Sequence, residues 1–171
     1  MTDTAKLRTR AATPADASAI AAIYNEGIAD RIATFETEPR SATDIAGWFT
    51  EQDLVLVVET VQTGPVAFAA SFPYSGRPCY RGIGEFSVNV RRDYRGRGAG
   101  RTVLAAPIEA AEAAGLHKLT SRVFPENAAS RALLKGLGFE EIGIHRRHGQ
   151  LDGRWRDCMI VERLLGKGAT E

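Results

Sequence analysis

The run Ile83-Gly84-Glu85-Phe86-Ser87-Val88-Asn89-Val90-Arg91-Arg92-Asp93-Tyr94-Arg95-Gly96-Arg97-Gly98-Ala99-Gly100-Arg101 carries an apolar strand into a glycine-arginine turn and then into a helix. Glycines between a strand and a helix let the backbone take positive φ and approach a ligand closely. The first N–H groups of the helix point outward there, and with the helix dipole they favour an anion such as pyrophosphate. Arg91, Arg92, Arg95, Arg97 and Arg101 crowd the turn, with Asp93 the one acid among them. The plainer reading is a tight turn with a solvated charged face. Two phosphate motifs fail on inspection. Gly100-Arg101-Thr102 lacks the lysine of a Walker loop. The third glycine comes one residue early for a dinucleotide fingerprint, and the strand that follows offers Lys118 and Arg122 rather than an acid.

Outward from this run the chain alternates clear start and stop signals. Thr13-Pro14-Ala15-Asp16 opens a first helix, and Ala19, Ile20, Ile23, Tyr24 and Ile28 follow at helical spacing. Ser41-Ala42-Thr43-Asp44 opens a second, predicted to reach about Glu51, with an irregular connection from Arg31 to Arg40 between them. Leu54 to Thr60 and Val66 to Phe72 read as strands about a turn at Gln62-Thr63-Gly64-Pro65, and Ile83 to Val90 as a third. A long helix follows from Gly98 to about Ala114, with Pro107 expected to kink it or lower its stability. Lys118 to Phe124 returns as a strand, and Asn127 caps a short helix through Leu137. Glu141 to His148 and Arg154 to Leu164 form a hairpin about Asp152-Gly153. The pattern predicts an α+β fold: a mixed, mostly antiparallel sheet flanked by helices, with one parallel step across the long helix.

Composition narrows the function classes. The 171 residues are 44% hydrophobic and 25% charged, which suits one domain over 1–171 with a core about 8–165. Lys and Arg number 22 against 21 Asp and Glu, so no nucleic-acid partner is expected. No apolar run reaches the ~20 residues that span a bilayer, so no membrane partner is expected either. The polar stretch Met1–Arg10 has no apolar signal core, and a cytoplasmic location is expected. Cys79 and Cys158, with no paired spacing, argue against a disulfide framework and against a metal site. No triad-like context makes Cys79 a nucleophile.

The chain resembles the GNAT superfamily of acetyl-CoA-dependent N-acetyltransferases, whose Arg/Gln-x-x-Gly-x-Gly/Ala hallmark is matched by Arg95, Gly98 and Gly100. It is most similar to the phosphinothricin acetyltransferase branch, which includes enzymes acting on methionine sulfoximine, methionine sulfone and arsinothricin. The likeness runs from about Arg10 to Leu165. It takes in Tyr24-Asn25, Phe35-Glu36-Thr37-Glu38-Pro39, Ser87-Val88-Asn89-Val90, Asp93 to Gly100, His117-Lys118-Leu119, Phe124 to Ser130, Leu137-Gly138-Phe139 and Gly153-Arg154-Trp155-Arg156-Asp157.

The resemblance implies a GNAT fold, acetyl-CoA as cosubstrate, a homodimer, and acetylation of the α-amine of a small amino-acid analogue, detoxifying a glutamate or methionine mimic. By the same resemblance Val88, Asn89 and Val90 would hold the pantetheine arm on a splayed strand. Gly96, Arg97, Gly98, Ala99, Gly100 and Arg101, beside Arg95, would hold the pyrophosphate. Asn127 and Ser130 would touch the cofactor again; Asn127 also reads simply as a helix cap. Glu85 occupies the family's catalytic glutamate position and would take a proton from the substrate ammonium, its basicity raised by burial. From spacing alone it is an outward strand carboxylate paired with an arginine. Phe35, Glu36, Arg77 and Tyr80 fall where the branch holds its substrate. Two positions depart from the pattern. Leu134 stands where relatives carry a tyrosine or histidine acid, and Asn89 where an aromatic is usual. His145 and His148 are substitutes for that acid only if they lie at the site. Other readings of the same residues are acetylation of a protein N-terminus or polyamine, and a CoA-binding sensor without catalysis.

Overall fold

The computed structural model describes residues 6–51 and 53–170, so the first half of the polar stretch Met1–Arg10 lies outside the described residues. In chain order the elements are β1 (Arg8–Ala11), α1 (Ala17–Asp30), α2 (Ala42–Ala46), β2 (Leu54–Thr60), β3 (Gly64–Pro73), β4 (Ile83–Val90), α3 (Ala99–Ala113), β5 (Lys118–Val123), α4 (Ala128–Gly136), β6 (Glu140–Leu151) and β7 (Arg154–Leu164). The strands make a seven-stranded sheet in the order β1-β2-β3-β4-β5-β7-β6. Every pairing is antiparallel except β4 with β5, which are joined through α3 as a parallel pair requires. No helix among the described residues is long and apolar enough to cross a membrane.

Period-2 alternation along the strands builds two cores. On one face Ile20 and Ile23 of α1 and Ile45 of α2 pack on Val55, Val57, Phe68 and Ala70. On the other, Leu104 and Ile108 of α3 and Leu134 of α4 pack on Phe86, Leu119, Met159 and Val161. The β6–β7 turn puts Asp152 at φ 49 and Gly153 at φ 73, the paired positive values of a two-residue hairpin loop.

The outcome differs from the sequence reading at three places. β1 was not predicted. Its four residues, Arg-Thr-Arg-Ala, show no apolar pattern, and it becomes a strand by pairing along the free edge of β2. The expected helix to Glu51 ends at Ala46, after which Trp48 and Phe49 tuck against the α1 core in turns. β6 extends to Leu151, with register shifts between Glu141 and Gly143 and between His145 and Gly149. Helix α3 spans nearly the stretch expected and contains Pro107. The ring is among the fully buried side chains, and that apolar burial offsets the backbone hydrogen bond it removes.

The edge strand is anchored electrostatically. Arg10 of β1 donates to both carboxylate oxygens of Asp16, at 2.7 and 2.8 Å, and to Glu59 of β2 at 2.9 Å. Asp16 also accepts from the Thr13 backbone at 2.8 Å, where the chain enters α1. The Arg10 guanidinium, helped by the Thr13 N–H, holds the Asp16 carboxyl down from 3.8 to about 2. A carboxylate depressed in the folded state contributes stability above its unfolded value and loses it as pH falls through its folded value. Chemical unfolding followed between pH 5 and pH 2 is therefore expected to show a stability loss that starts near pH 4, and Asp16→Asn, less stable at pH 7, is expected to flatten it.

Candidate functional site

The pairing of β4 with β5 covers Ile83, Gly84 and Glu85 only. Beyond Glu85, β4 continues to Val90 against β3, while β5 continues to Val123 against β7. The two strands splay, and the Ser121 hydroxyl closes the apex by donating to the Phe86 carbonyl at 2.7 Å. The β4 backbone edge facing the gap is left without strand partners, available to a ligand.

A cavity of about 330 Å³ opens at the splay, between β4, the start of α3, the start of α4 and the end of α1. Val88, Asn89, Val90, Arg95, Gly96, Gly98, Gly100, Arg101, Asn127 and Ser130 line it, together with Gly27, Ile32, Ala33, Ala129 and Leu133. Gly98 caps α3 at φ 85 and offers no side chain to its first N–H groups, which are left for a ligand. The three glycines of the turn serve different needs. Gly96 and Gly98 have positive φ with open space around them, whereas a side chain on Gly100 would press on Leu133 and Val90 at 3.2 and 3.3 Å. Gly100 thus sets how closely α3 approaches β4 and α4.

The arginine cluster is less free than its sequence suggests. Asp30 of α1 receives Arg92 and Arg95, each at 2.6 Å, and Glu26 accepts from the Arg92 backbone N–H. The Arg92 hydrogen bond, then Arg95, holds the Asp30 carboxyl below the usual range. Arg91 is paired with Asp93. Arg97 stacks on the Tyr94 ring at 5.3 Å and does not line the cavity. Ala99 turns its side chain into the core and presents only its backbone. Arg101 lines the cavity, bonds the Gly136 carbonyl at 3.2 Å, and among the described residues has no carboxylate within ion-pair distance. Asp93 is therefore not the lone counter-charge. Glu26 and Asp30, one turn apart on α1, were legible as an acidic pair, but their partners lie across the fold.

Asn127 does cap α4, accepting from Ser130 N–H at 3.1 Å, and its amide also donates to the Ile32 carbonyl at 3.0 Å. Asn25 grips the Arg40 backbone through both N–H and C=O, so it is a clamp on the 31–40 connection. That connection leaves α1 and docks on the far half of the sheet. Arg31 pairs with Asp152 at 3.1 Å, and the Phe35 ring lies edge-on to Phe124 at 4.9 Å and close against the Gly149 backbone.

Glu85 sits at the last paired position of β4, and its side chain is 34% exposed and ion-paired with Arg122 of β5. Arg122 reaches the same sheet face from the neighbouring strand, so the outward carboxylate paired with an arginine, read from spacing alone, is what the chain shows. Arg122 was missed as a partner, since only the parallel register brings the two together. Asn89 faces α1, with its Oδ1 near Gly27, whereas Val88 and Val90 face the α3 side. Leu134 is buried in the α3-side core and supplies no proton donor. His145 and His148 stack at 4.5 Å on the exposed bulge of β6, outside the cavity.

The expected substrate residues do not converge. Glu36 is exposed and paired with Arg40. Arg77 and Tyr80 lie in the β3–β4 loop, in a different cavity at the opposite end of α3.

The sequence profile of the acetyltransferase (GNAT) family matches residues 20–139. The chain is 36% identical over 160 residues to an L-methionine sulfoximine/L-methionine sulfone acetyltransferase of Pseudomonas aeruginosa, covering 90% of this chain and 91% of that one. Among solved structures, it is similar to a phosphinothricin acetyltransferase of Sinorhizobium meliloti in complex with AcCoA, at a TM-score of 0.89 and 27% identity over 96% of this chain and 91% of that chain. It is also similar to a ribosomal-protein-alanine N-acetyltransferase of Brucella melitensis, at a TM-score of 0.87 and 34% identity over 92% and 99%. The two arginine environments lead to different expected losses. Arg101→Ala is expected to weaken coenzyme A binding about tenfold in a calorimetric titration, a charge-assisted hydrogen bond's worth, while Arg92→Ala leaves it nearly unchanged.

Proposed function

The chain belongs to the acetyltransferase (GNAT) family, and from that premise we propose that it transfers acetyl from acetyl-CoA to the α-amine of a small amino-acid analogue of the phosphinothricin, methionine sulfoximine or sulfone, or arsinothricin type. The observation that carries the reading is the splay of β4 from β5, which ends in a glycine-capped helix start. The free N–H groups of α3 and Arg101 suit a pyrophosphate, and the unpaired edge of β4 suits an amide-bearing arm. The amino-acid class rests on the methionine sulfoximine/sulfone and phosphinothricin relatives.

Acetyl-CoA, when bound, supplies an activated acyl carbon. The chain's own part begins with Glu85. An α-ammonium group must lose a proton before its nitrogen has a lone pair to attack with, and Glu85 takes that proton directly or through a water. Arg122 aims the carboxylate from the next strand. The C–N bond then forms as the C–S bond breaks, and the thiolate leaves with the electron pair. Leu134, buried in the core, supplies no proton, so the thiolate takes its proton from water. Transfer is direct, with no covalent enzyme step. Phe35, lying over the Phe124 end of β5, walls the acceptor side. The chain acts as a homodimer: β6 is an exposed sheet edge, and Ile142, Ile144 and Trp155 of the β6–β7 hairpin are about half exposed.

A second reading, acetylation of a peptide N-terminus, draws on the similarity to the ribosomal-protein-alanine N-acetyltransferase. Thiol release from acetyl-CoA separates the two on a panel of phosphinothricin, methionine sulfone, methionine sulfoximine, spermidine and a peptide with N-terminal alanine. Turnover confined to the amino-acid analogues is expected; turnover on the peptide alone replaces the first reading with the second. Glu85→Gln is expected to lower kcat at neutral pH about a hundredfold with little change in acetyl-CoA affinity, and equal losses in both would sink the base assignment.

A further inference from the structure

The Glu85–Arg122 pair stands where the β4–β5 ladder has just ended. Had the parallel register gone on past Glu85 and Thr120, Arg122 would face Ser87 as a ladder partner; instead it stands on the far bank of the gap. The other polar side chains of β5 are engaged inside the fold. Lys118 pairs with Glu162 at 2.7 Å, the Thr120 hydroxyl donates to the Val161 carbonyl at 3.0 Å, and the Ser121 hydroxyl donates to the Phe86 carbonyl at 2.7 Å. The Arg122 side chain gives one donor, Nη1, to Glu85, and among the described residues it makes no other hydrogen bond. It is 44% exposed and the Glu85 side chain 34%, so both can be reached by a ligand. Three residues of β4, about 10 Å, separate Glu85 from Val88, where the cleft lining begins.

An exposed ion pair adds little to stability. This one matches a particular guest. A base that removes a proton from an α-ammonium group must reach that nitrogen, and in an amino acid the nitrogen and the carboxylate are held on the same carbon. Whatever cation binds the α-carboxylate must therefore stand beside the base. Among the described residues Arg122 is the cation within ion-pair distance of Glu85. A guanidinium is a fork of five donors, and with Nη1 on Glu85 its Nη2 side is left for a second carboxylate.

We propose that Arg122 binds the α-carboxylate of the acceptor while Glu85 receives its ammonium, so that the pair recognises an amino-acid zwitterion. Four charges then close a ring of alternating sign: Glu85, ammonium, α-carboxylate, Arg122. When the ammonium proton passes to Glu85, Arg122 still holds the α-carboxylate, so the amine is freed for attack without loss of its anchor. An amine with no carboxylate on the same carbon, such as spermidine or a peptide N-terminus, leaves Arg122 on Glu85 alone and competes with it for the base. Arg122 is thus a specificity determinant. Farther along this wall the Phe124 ring meets Phe35 edge-on at 4.9 Å and lies under the Arg156 guanidinium at 4.7 Å, an apolar surface for the acceptor's side chain.

The proposal rests on the reading of Glu85 as the base for an amino-acid acceptor, and its test separates the two. Acetyl transfer is measured for L-methionine sulfone and for its carboxamide, in wild type, Arg122→Met and Arg122→Lys. A change in how Glu85 is aimed falls on both compounds alike and cancels in the ratio of their kcat/KM values, whereas a lost carboxylate contact does not. The ratio of acid to carboxamide is expected to fall about tenfold or more in Arg122→Met, mainly through KM, and to be partly kept in Arg122→Lys. An unchanged ratio overturns the proposal, even where both rates fall. Calorimetric titration of L-methionine sulfone into the full chain saturated with coenzyme A reads the same contact without turnover, and Arg122→Met is expected to bind about tenfold more weakly. Binding that is absent from wild type, or equal in wild type and Arg122→Met, overturns the proposal. Methionine sulfone that binds through Arg122 and is not acetylated overturns the acceptor reading alone.

Discussion

The central cleft of this fold depends on where one β-ladder stops. The parallel pairing of β4 with β5 runs for three residue pairs and ends at Glu85, with the Ser121 hydroxyl bonding the Phe86 carbonyl at the apex. A sheet interior is normally the place where every backbone group is paired. Here one edge of each strand is unpaired beyond Glu85, while the other edge stays in its ladder, β4 with β3 and β5 with β7. The helix that must cross over between parallel strands then starts at the mouth of the gap, bringing free N–H groups to it. Topology thus creates the cleft, the free helix N–H groups at its mouth and the seat of Glu85 in one step.

Electrostatics refine this layout. In a chain of net charge +1, local charge does the sorting. Asp30 pairs with Arg92 and Arg95 and, with Glu26, binds α1 to the turn, while Arg101 lines the cleft and among the described residues has no carboxylate within ion-pair distance. The same helix therefore braces the cleft and trims its positive field, a combination that favours a defined anion over general attraction to polyanions.

Most of the architecture was legible in sequence because it rests on local signals: alternation in β2 to β4, glycine and asparagine at helix ends, and Asp152-Gly153 at the last hairpin. The cleft residues were legible for the same reason, since Val88 to Arg101 is one continuous run. What escaped was whatever depends on pairing between distant segments. β1 has no pattern of its own and exists only as an edge on β2. The Glu85–Arg122 pair appears only when the parallel register is known. Arg77 and Tyr80 are expected at the substrate from the family resemblance, and in the chain they line a separate cavity beside the start of β4.

The 31–40 connection has a role that its irregular backbone does not advertise. It leaves α1 on one half of the split sheet, is gripped by Asn127 at Ile32, rests Phe35 on Gly149 of the other half, and returns to Asn25 at Arg40. Where the ladder is missing, this segment is the tie-beam of an arch: it sets the span between two walls that no sheet bond holds together. Most surface loops absorb added residues at little cost. A tie-beam does not, because one residue of slack widens the span beneath it. This stretch therefore tolerates change in composition far better than change in length.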